Sequence, residues 1–459
     1  MKYLFIAAIL SSTLFSQASF NIDLLAQKNE HRAGGTGPDT SFHYASCWGY
    51  THPNGREYAI LGYWNGTAIY DITDAPNVVQ RDTIPGPTSY YNYREFAVIG
   101  NYLYIVSEGT NSNAGLQIVN LVYLPDSVHH VSNWTAGGFN SSHTIKSSGN
   151  YLYVNGANSN SGGVIIVDAT NPTNLVRLGN CPSVYSHDCF IRNDTVFTAN
   201  IYNSTNSMSI INAVNKNSPA LVTQFTYSDP GTHNVWTTPD RKWLVTTDEI
   251  NAGRKARLWN IQNILNITFV YEYTPYQTAT VHNGYFKDNL LFLAHYKAGV
   301  VVLDCANLPA VPSVKGYYDT YFGAANTGYH GAWNVFPYYS SGKFVVSDMQ
   351  TGLWVFKFTN VNGIKQNGTE VPSDFSLGQN YPNPFNPVTK INFNIAKSGN
   401  VQLVVYDVQG RIVEEIFDGE LQQGKYTADF NASKLASGVY YYRLTADELI
   451  QTRKMVIAK

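Results

Sequence analysis

Short apolar runs that end in an acid or amide and a turn recur along the first 360 residues: Thr67–Asp71, Leu116–Asn120, Val164–Asp168, Met208–Asn212, Arg257–Asn260, Val300–Asp304 and Leu353–Phe356. Runs this short and continuously apolar read as strands buried on both faces. About twenty residues before each stands a polar residue that opens another strand, namely Cys47, Arg94, His143, His187, His233, His282 and His330. These openers are 44 to 49 residues apart. Seven repeats of that length match the four-stranded blade of a propeller. Each unit reads as strand, Gly or Asn/Asp turn, a second strand such as Tyr151–Val154, loop, apolar strand, turn and last strand.

The seventh unit has no fourth strand of its own, because only the polar stretch Thr359 to Asp374 follows its apolar run. Ahead of the first unit lies an unassigned strand-like run, Phe20–Leu25. An open last blade would expose an unpaired edge, so residues 20–26 are expected to supply the missing strand. The expected fold is therefore all-β, a seven-bladed β-propeller over residues 19–358 whose last blade is closed by the N-terminal strand. The runs Val164–Asp168 and Val300–Asp304 carry a resemblance to LVIVD-repeat proteins, in particular the secreted choice-of-anchor B type. That resemblance implies a secreted or surface-displayed propeller and no particular reaction.

The pattern changes after a linker over 359–373. Prolines cluster at Pro372, Pro382, Pro384 and Pro387, and period-2 strands follow at Ile391–Ile395 and Val401–Tyr406. Gly410, Gly419, Gly424 and Gly438 punctuate the remainder, as in a small β-sandwich over 374–459. The segments Leu377–Pro387, with Tyr381, Pro382, Asn383 and Pro384, then Tyr406–Arg411 with Gly410, Leu435–Tyr441 with Gly438 and Tyr440, and Lys454–Ile457 resemble the type A sorting domain of the type IX secretion system. The resemblance implies recognition by that machinery during outer-membrane passage, followed by attachment or release.

Residues 1–18 begin with one Lys, continue as an apolar run and end at a small-x-small site, the form of a secretory signal peptide. No later segment is apolar for the ~18 residues a membrane helix needs. Thirty basic against thirty-two acidic residues leave a net charge of −2 without like-charge blocks, which argues against a nucleic-acid or membrane-surface binder. Four cysteines are too few for a disulfide scaffold, although Cys181 and Cys189 are close enough in sequence to close a short loop.

Five of the seven openers are His, although the chain has 11 in all. The first strand of a blade lines the central channel, so Arg94, His143, His187, His233, His282 and His330, with Cys47, are expected to ring one mouth. The second strand runs back to that mouth, bringing Tyr63, Glu108, Asn155, Asn200, Asp248, Glu249, His295 and Asp348. Three uses of such a ring are open. The imidazoles can lock neighbouring blades through backbone carbonyls. They can hold one divalent transition metal, with His233, His282 and His330 as ligands and the carboxylates beside them. They can recognise a small anionic or sugar-like ligand. Tyr50, Phe190, Trp236, Tyr285 and Trp333, three residues after an opener, are expected between blades. With no GxSxG, HExxH or P-loop pattern, the leading expectation is a binding module for an extracellular glycan, protein or small ligand. The alternative is a metal-dependent hydrolase or oxidase at the channel mouth.

Overall fold

The computed structural model describes residues 19–33, 42–87, 93–108, 114–182, 184–250, 255–273, 279–323, 328–358, 364–366, 372–421, 423–433 and 435–458. The signal peptide expected over 1–18 lies outside them. The chain divides into two compact units, Met1–Phe358 and Thr359–Lys459. Both are all-β, with no α-helix among the described residues.

The first unit is propeller-like, built of antiparallel sheets, six of four strands and one of five among the described residues. The innermost strands are Tyr44–Thr51, Arg94–Ile99, Thr144–Ser148, Asp188–Arg192, Thr232–Thr237, Asn283–Lys287 and Ala332–Phe336. Each contacts the next in chain order, and the last contacts the first. The apolar runs form the third strands; Gly66–Asp71 is buried throughout, and Val300–Asp304 everywhere but its last residue. They face a neighbouring sheet on each side, which is why they carry no polar alternation. Tight turns join first to second strands, as at Asn193 and Asp194, both of positive φ (48° and 57°), the backbone of a type I′ hairpin.

The last sheet is completed from the other end of the sequence. Ile22–Lys28 pairs antiparallel with Gly352–Phe358, and Ser19–Phe20 pairs with Ser313–Tyr318 of the preceding sheet. Ile22 is buried in the core those two sheets share. The first and last sheets are also joined by Glu57, whose carboxylate accepts from the Ser341 backbone N–H (3.1 Å) and hydroxyl (2.6 Å) and pairs with Lys343 (3.1 Å). All four cysteines are buried free thiols, so Cys181 and Cys189 share an apolar cluster without a bond.

The second unit contains two antiparallel four-stranded sheets. One orders Ile364–Gln366, Gly424–Asn431, Val388–Ile395 and Ser376–Leu377; the other orders Ile412–Leu421, Gly399–Tyr406, Gly438–Ala446 and Leu449–Ile457. Ile364–Gln366 thus draws part of the expected linker into a sheet. Alternate residues of both sheets, among them Ile391, Phe393, Leu403 and Leu444, meet in one apolar cluster. Within the proline-rich segment, Tyr381 is exposed, the Pro382 carbonyl accepts from Thr389 (2.7 Å), and the Asn383 side chain accepts from the Val456 N–H (2.9 Å). Pro384 precedes the buried Phe385, and Gly410 takes the positive φ of a turn closed onto Asp407. Gly438 (φ 159°) opens the strand on which the Tyr440 hydroxyl donates to the Ala436 carbonyl (3.1 Å).

Candidate functional site

At the start of the innermost strands, imidazoles follow one another from sheet to sheet, each ring tilted 43–56° to the next. Ring centroids are 4.0 Å apart for His143 and His187, 4.1 Å for His187 and His233, and 4.0 Å for His233 and His282. The arc continues to Trp333 at 4.8 Å and from there to Tyr93 at 5.3 Å.

Strand pairing decides who occupies this slot. Thr232 pairs with Asp248 and Asn234 with Thr247, a bulge falling between; Ala332 pairs with Asp348 and Asn334 with Ser347 in the same way. Trp333 is therefore the counterpart of His233. His330, expected in the slot and as a metal ligand, lies three residues earlier with its ring against Phe42 and Tyr321. Trp333 is buried as expected, but the counterpart of Trp236 is Phe336. Cys47 also stands off the slot, buried between the first and last sheets with its thiol directed at the Asn334 carbonyl (3.6 Å). Arg94 opens its strand as expected; its side chain packs against Gly86, and burial pushes its pKa down to about 10.

The residue after each slot position joins sheet to sheet. Asp188 accepts from Asn234 (2.9 Å) and Thr144 (3.2 Å) and pairs with Lys146 (3.1 Å). The Asn234 side-chain amide oxygen accepts from the Gly284 N–H (3.1 Å), Asn283 donates to Asn334 (3.3 Å), and Asn334 donates to Ser46 (2.7 Å). Two imidazoles take part: His187 Nδ1 donates to the His233 carbonyl (3.2 Å), and His282 Nδ1 to the Trp333 carbonyl (2.5 Å). The matching carbonyl for His233, that of His282, is taken by the Thr247 hydroxyl (2.5 Å). His233 Nδ1 is buried and has no hydrogen-bond partner.

Carboxylates stand at two points along the arc. Glu108 Oε1 lies 2.5 Å from His143 Nδ1. Glu249 lies 3.7 Å from His233 Nε2 and 3.8 Å from His282 Nε2, and its carboxylate accepts from the Tyr296 hydroxyl (2.6 Å). Glu108, Glu249 and Tyr296 each sit just beyond the end of a second strand, Tyr102–Ser107, Trp243–Asp248 and Leu290–Ala294. Donor atoms of His143, His187 and His233 lie within 4.8 Å of one another, and so do those of His233, Glu249 and His282.

The other expected mouth residues are engaged elsewhere. Asp248 accepts from Tyr227 (2.7 Å) and the Gly231 N–H (2.9 Å) and pairs with Arg257. Asp348 accepts from Thr320 (2.8 Å) and from the N–H groups of Gln350 and Thr351. His295 Nε2 donates to the Ala279 carbonyl (3.1 Å). Asn155 donates to Thr144, and Asn200 to the Asn206 carbonyl. Tyr63 stacks on His31 with ring centroids 4.0 Å apart.

The arc is electrostatically divided. Burial and the neighbouring imidazoles hold His187 and His233 well below the ordinary histidine pKa, and burial takes His282 down to about 3. These three are neutral at pH 7, with lone pairs to offer. For His143 burial also disfavours the charge, but the Glu108 carboxylate outweighs it and the pKa lies above the ordinary value. Further along the inner strands lies a separate cavity of about 210 Å³, lined by Trp48, Phe96, Phe190, Trp236 and Tyr338, with Lys146 beside them.

Residues 379–458 match the secretion system C-terminal sorting domain family. No curated protein matches the chain. Similar solved structures include a Lactobacillus plantarum protein, 9% identical over 84% of this chain and 100% of that one, at a TM-score of 0.48. Another is the hydrazine synthase of Kuenenia stuttgartiensis, 12% identical over 71% of this chain and 98% of that one, also at 0.48. At that distance the likeness bears on neither fold nor function. The sorting domain supports export by type IX secretion, and so implies contact with that machinery and secretion or attachment at the cell surface. No described helix is long and apolar enough to cross a membrane.

Proposed function

We propose that residues 19–358 form a seven-bladed β-propeller of the LVIVD-repeat, choice-of-anchor B kind, exported behind a signal peptide over residues 1–18 by a C-terminal β-sandwich over 374–459. In this reading the propeller is a binding module, and its ligand site is the histidine-lined mouth of the channel. One observation carries the choice of site. His187, His233 and His282 are buried and neutral, the last two beside Glu249, and His233 Nδ1 has no hydrogen-bond partner. Buried polar groups are ordinarily satisfied within a fold, and an orphaned nitrogen beside others calls for an external partner.

The test is a thermal-shift screen of the full chain against metal ions, small carboxylates, sugars and oligosaccharides. All eight tryptophans lie before residue 359, so their emission reports the first unit alone. The reading requires a ligand that raises the unfolding temperature of the wild type and not of His282→Ala. It fails if no ligand does so, or if the shift survives that substitution. The second reading, a metal-dependent hydrolase or oxidase, rests on Glu249 standing beside two imidazoles, and requires a turnover that His282→Ala abolishes.

A further inference from the structure

We propose that His233, Glu249 and His282 bind one divalent transition-metal ion. This rests on the histidine-lined mouth being a binding site, and names what it binds.

The separations are those of co-ligands. Glu249 stands 3.7 and 3.8 Å from the two Nε2 atoms, too far for hydrogen bonds. Ligands at about 2.0–2.2 Å from a tetrahedral ion are about 3.4 Å apart, so the two carboxylate–imidazole separations need shorten by only a few tenths of an ångström, and the donor atoms of all three residues lie within 4.8 Å of one another. Two of the three ligands, His282 and Glu249, also carry the outer contact that orients metal ligands. His282 Nδ1–H is held by the Trp333 carbonyl, which leaves Nε2 as the lone-pair nitrogen. Glu249 is held by the Tyr296 hydroxyl, whose ring also packs 4.6 Å from that of His282. His187 Nδ1 is held by the His233 carbonyl, and its donor atom groups with those of His143 and His233. His233 is 4% exposed, and its Nδ1 has no protein partner. His143 belongs to the neighbouring donor group, but its Nδ1 is committed to Glu108. Two imidazoles and one carboxylate suit zinc, cobalt, nickel or copper and not calcium or magnesium.

The experiment is calorimetric titration of the chelator-treated full chain with Zn²⁺, with Co²⁺ absorption as a coordination signature. One equivalent should bind. Glu249→Gln, which keeps the shape of the side chain, should weaken binding by at least about 10-fold, and His282→Ala should abolish it. His330→Ala should bind as the wild type does. Tryptophan emission checks that each variant is folded. The proposal is overturned if the wild type binds no equivalent, or if folded Glu249→Gln and His282→Ala bind unchanged. An organic ligand that still depends on His282 in protein that takes up no metal would overturn the ion and keep the site. Loss of both would overturn the mouth itself.

Discussion

Replacing Asp188 by Asn tests what holds neighbouring sheets in register. The carboxylate is buried, its side chain 3% exposed, and it faces Lys146, 8% exposed, at 3.1 Å. Its Oδ1 accepts from the Cys189 N–H (2.8 Å) and the Thr144 hydroxyl, and an amide oxygen serves as well there. Its Oδ2 accepts from Lys146 and from the Asn234 amide, so an amide nitrogen would face two donors. Asn234 cannot flip to relieve this, because its oxygen is already accepting from Gly284 N–H. Breaking a buried pair from one side costs about 3–5 kcal/mol, since the remaining charge is left uncompensated. Urea unfolding followed by tryptophan emission should show a loss of that size. Adding Lys146→Met removes the stranded charge and should leave only the mismatched amide, about 1–3 kcal/mol. A loss under about 1 kcal/mol for Asp188→Asn, or a double variant no better than the single one, would refute the reasoning.

Deleting residues 19–28 leaves Gly352–Phe358 as an open edge, so the unfolding temperature should fall and dimers or larger species should appear in light scattering. Burial holds His295 at about 4. The unfolded chain, with an ordinary value near 6.5, takes up a proton that the folded state refuses. This contribution is therefore flat above about pH 6.5 and costs stability as pH falls toward 4, by up to about 1.4 kcal/mol per pH unit, a slope His295→Gln should reduce. Burial pushes the thiols of Cys47, Cys181 and Cys305 up to about 12 and that of Cys189 well above its ordinary value, so a thiol reagent should label none of them until urea unfolds the first unit. In the second unit, Tyr442→Phe strands the Asn380 N–H and the Gly378 carbonyl that the hydroxyl bridges, at about 1–3 kcal/mol, and should lower the secreted fraction in an immunoblot of medium against cells.

How far the mouth could be read in advance follows from its local chemistry. The third-strand runs were legible because burial on both faces removes polar residues from them. The slot was legible wherever it holds a histidine, as at His187, His233 and His282. In the first and last sheets it does not, and the nearest conspicuous residues, Cys47 and His330, lie off the true position. The last sheet bulges between Ala332 and Asn334, and the first between Tyr44 and Cys47, so counting residues could not recover the register. The carboxylates failed for a related reason. Asp248 and Glu249 are adjacent, and one step along a strand end turns a side chain from the Arg257 interface to the imidazoles. Sequence alone cannot say which acid faces which way.

Locking and binding also looked like rival uses of the histidines, and their two nitrogens make them compatible. An Nδ1–H donated to the next sheet's carbonyl joins two sheets, and the same bond fixes the tautomer so that Nε2 carries the lone pair. His187 and His282 are staples of this kind. At His233 the corresponding carbonyl is taken by Thr247, and the join between those sheets passes instead through Asn234 and the Gly284 N–H. The arc thus contains one imidazole that the fold does not consume, flanked by His187 and His282, which the fold orients. Removing the staple at His282 should therefore cost stability and ligand affinity together, whereas changing Glu249 should cost affinity alone.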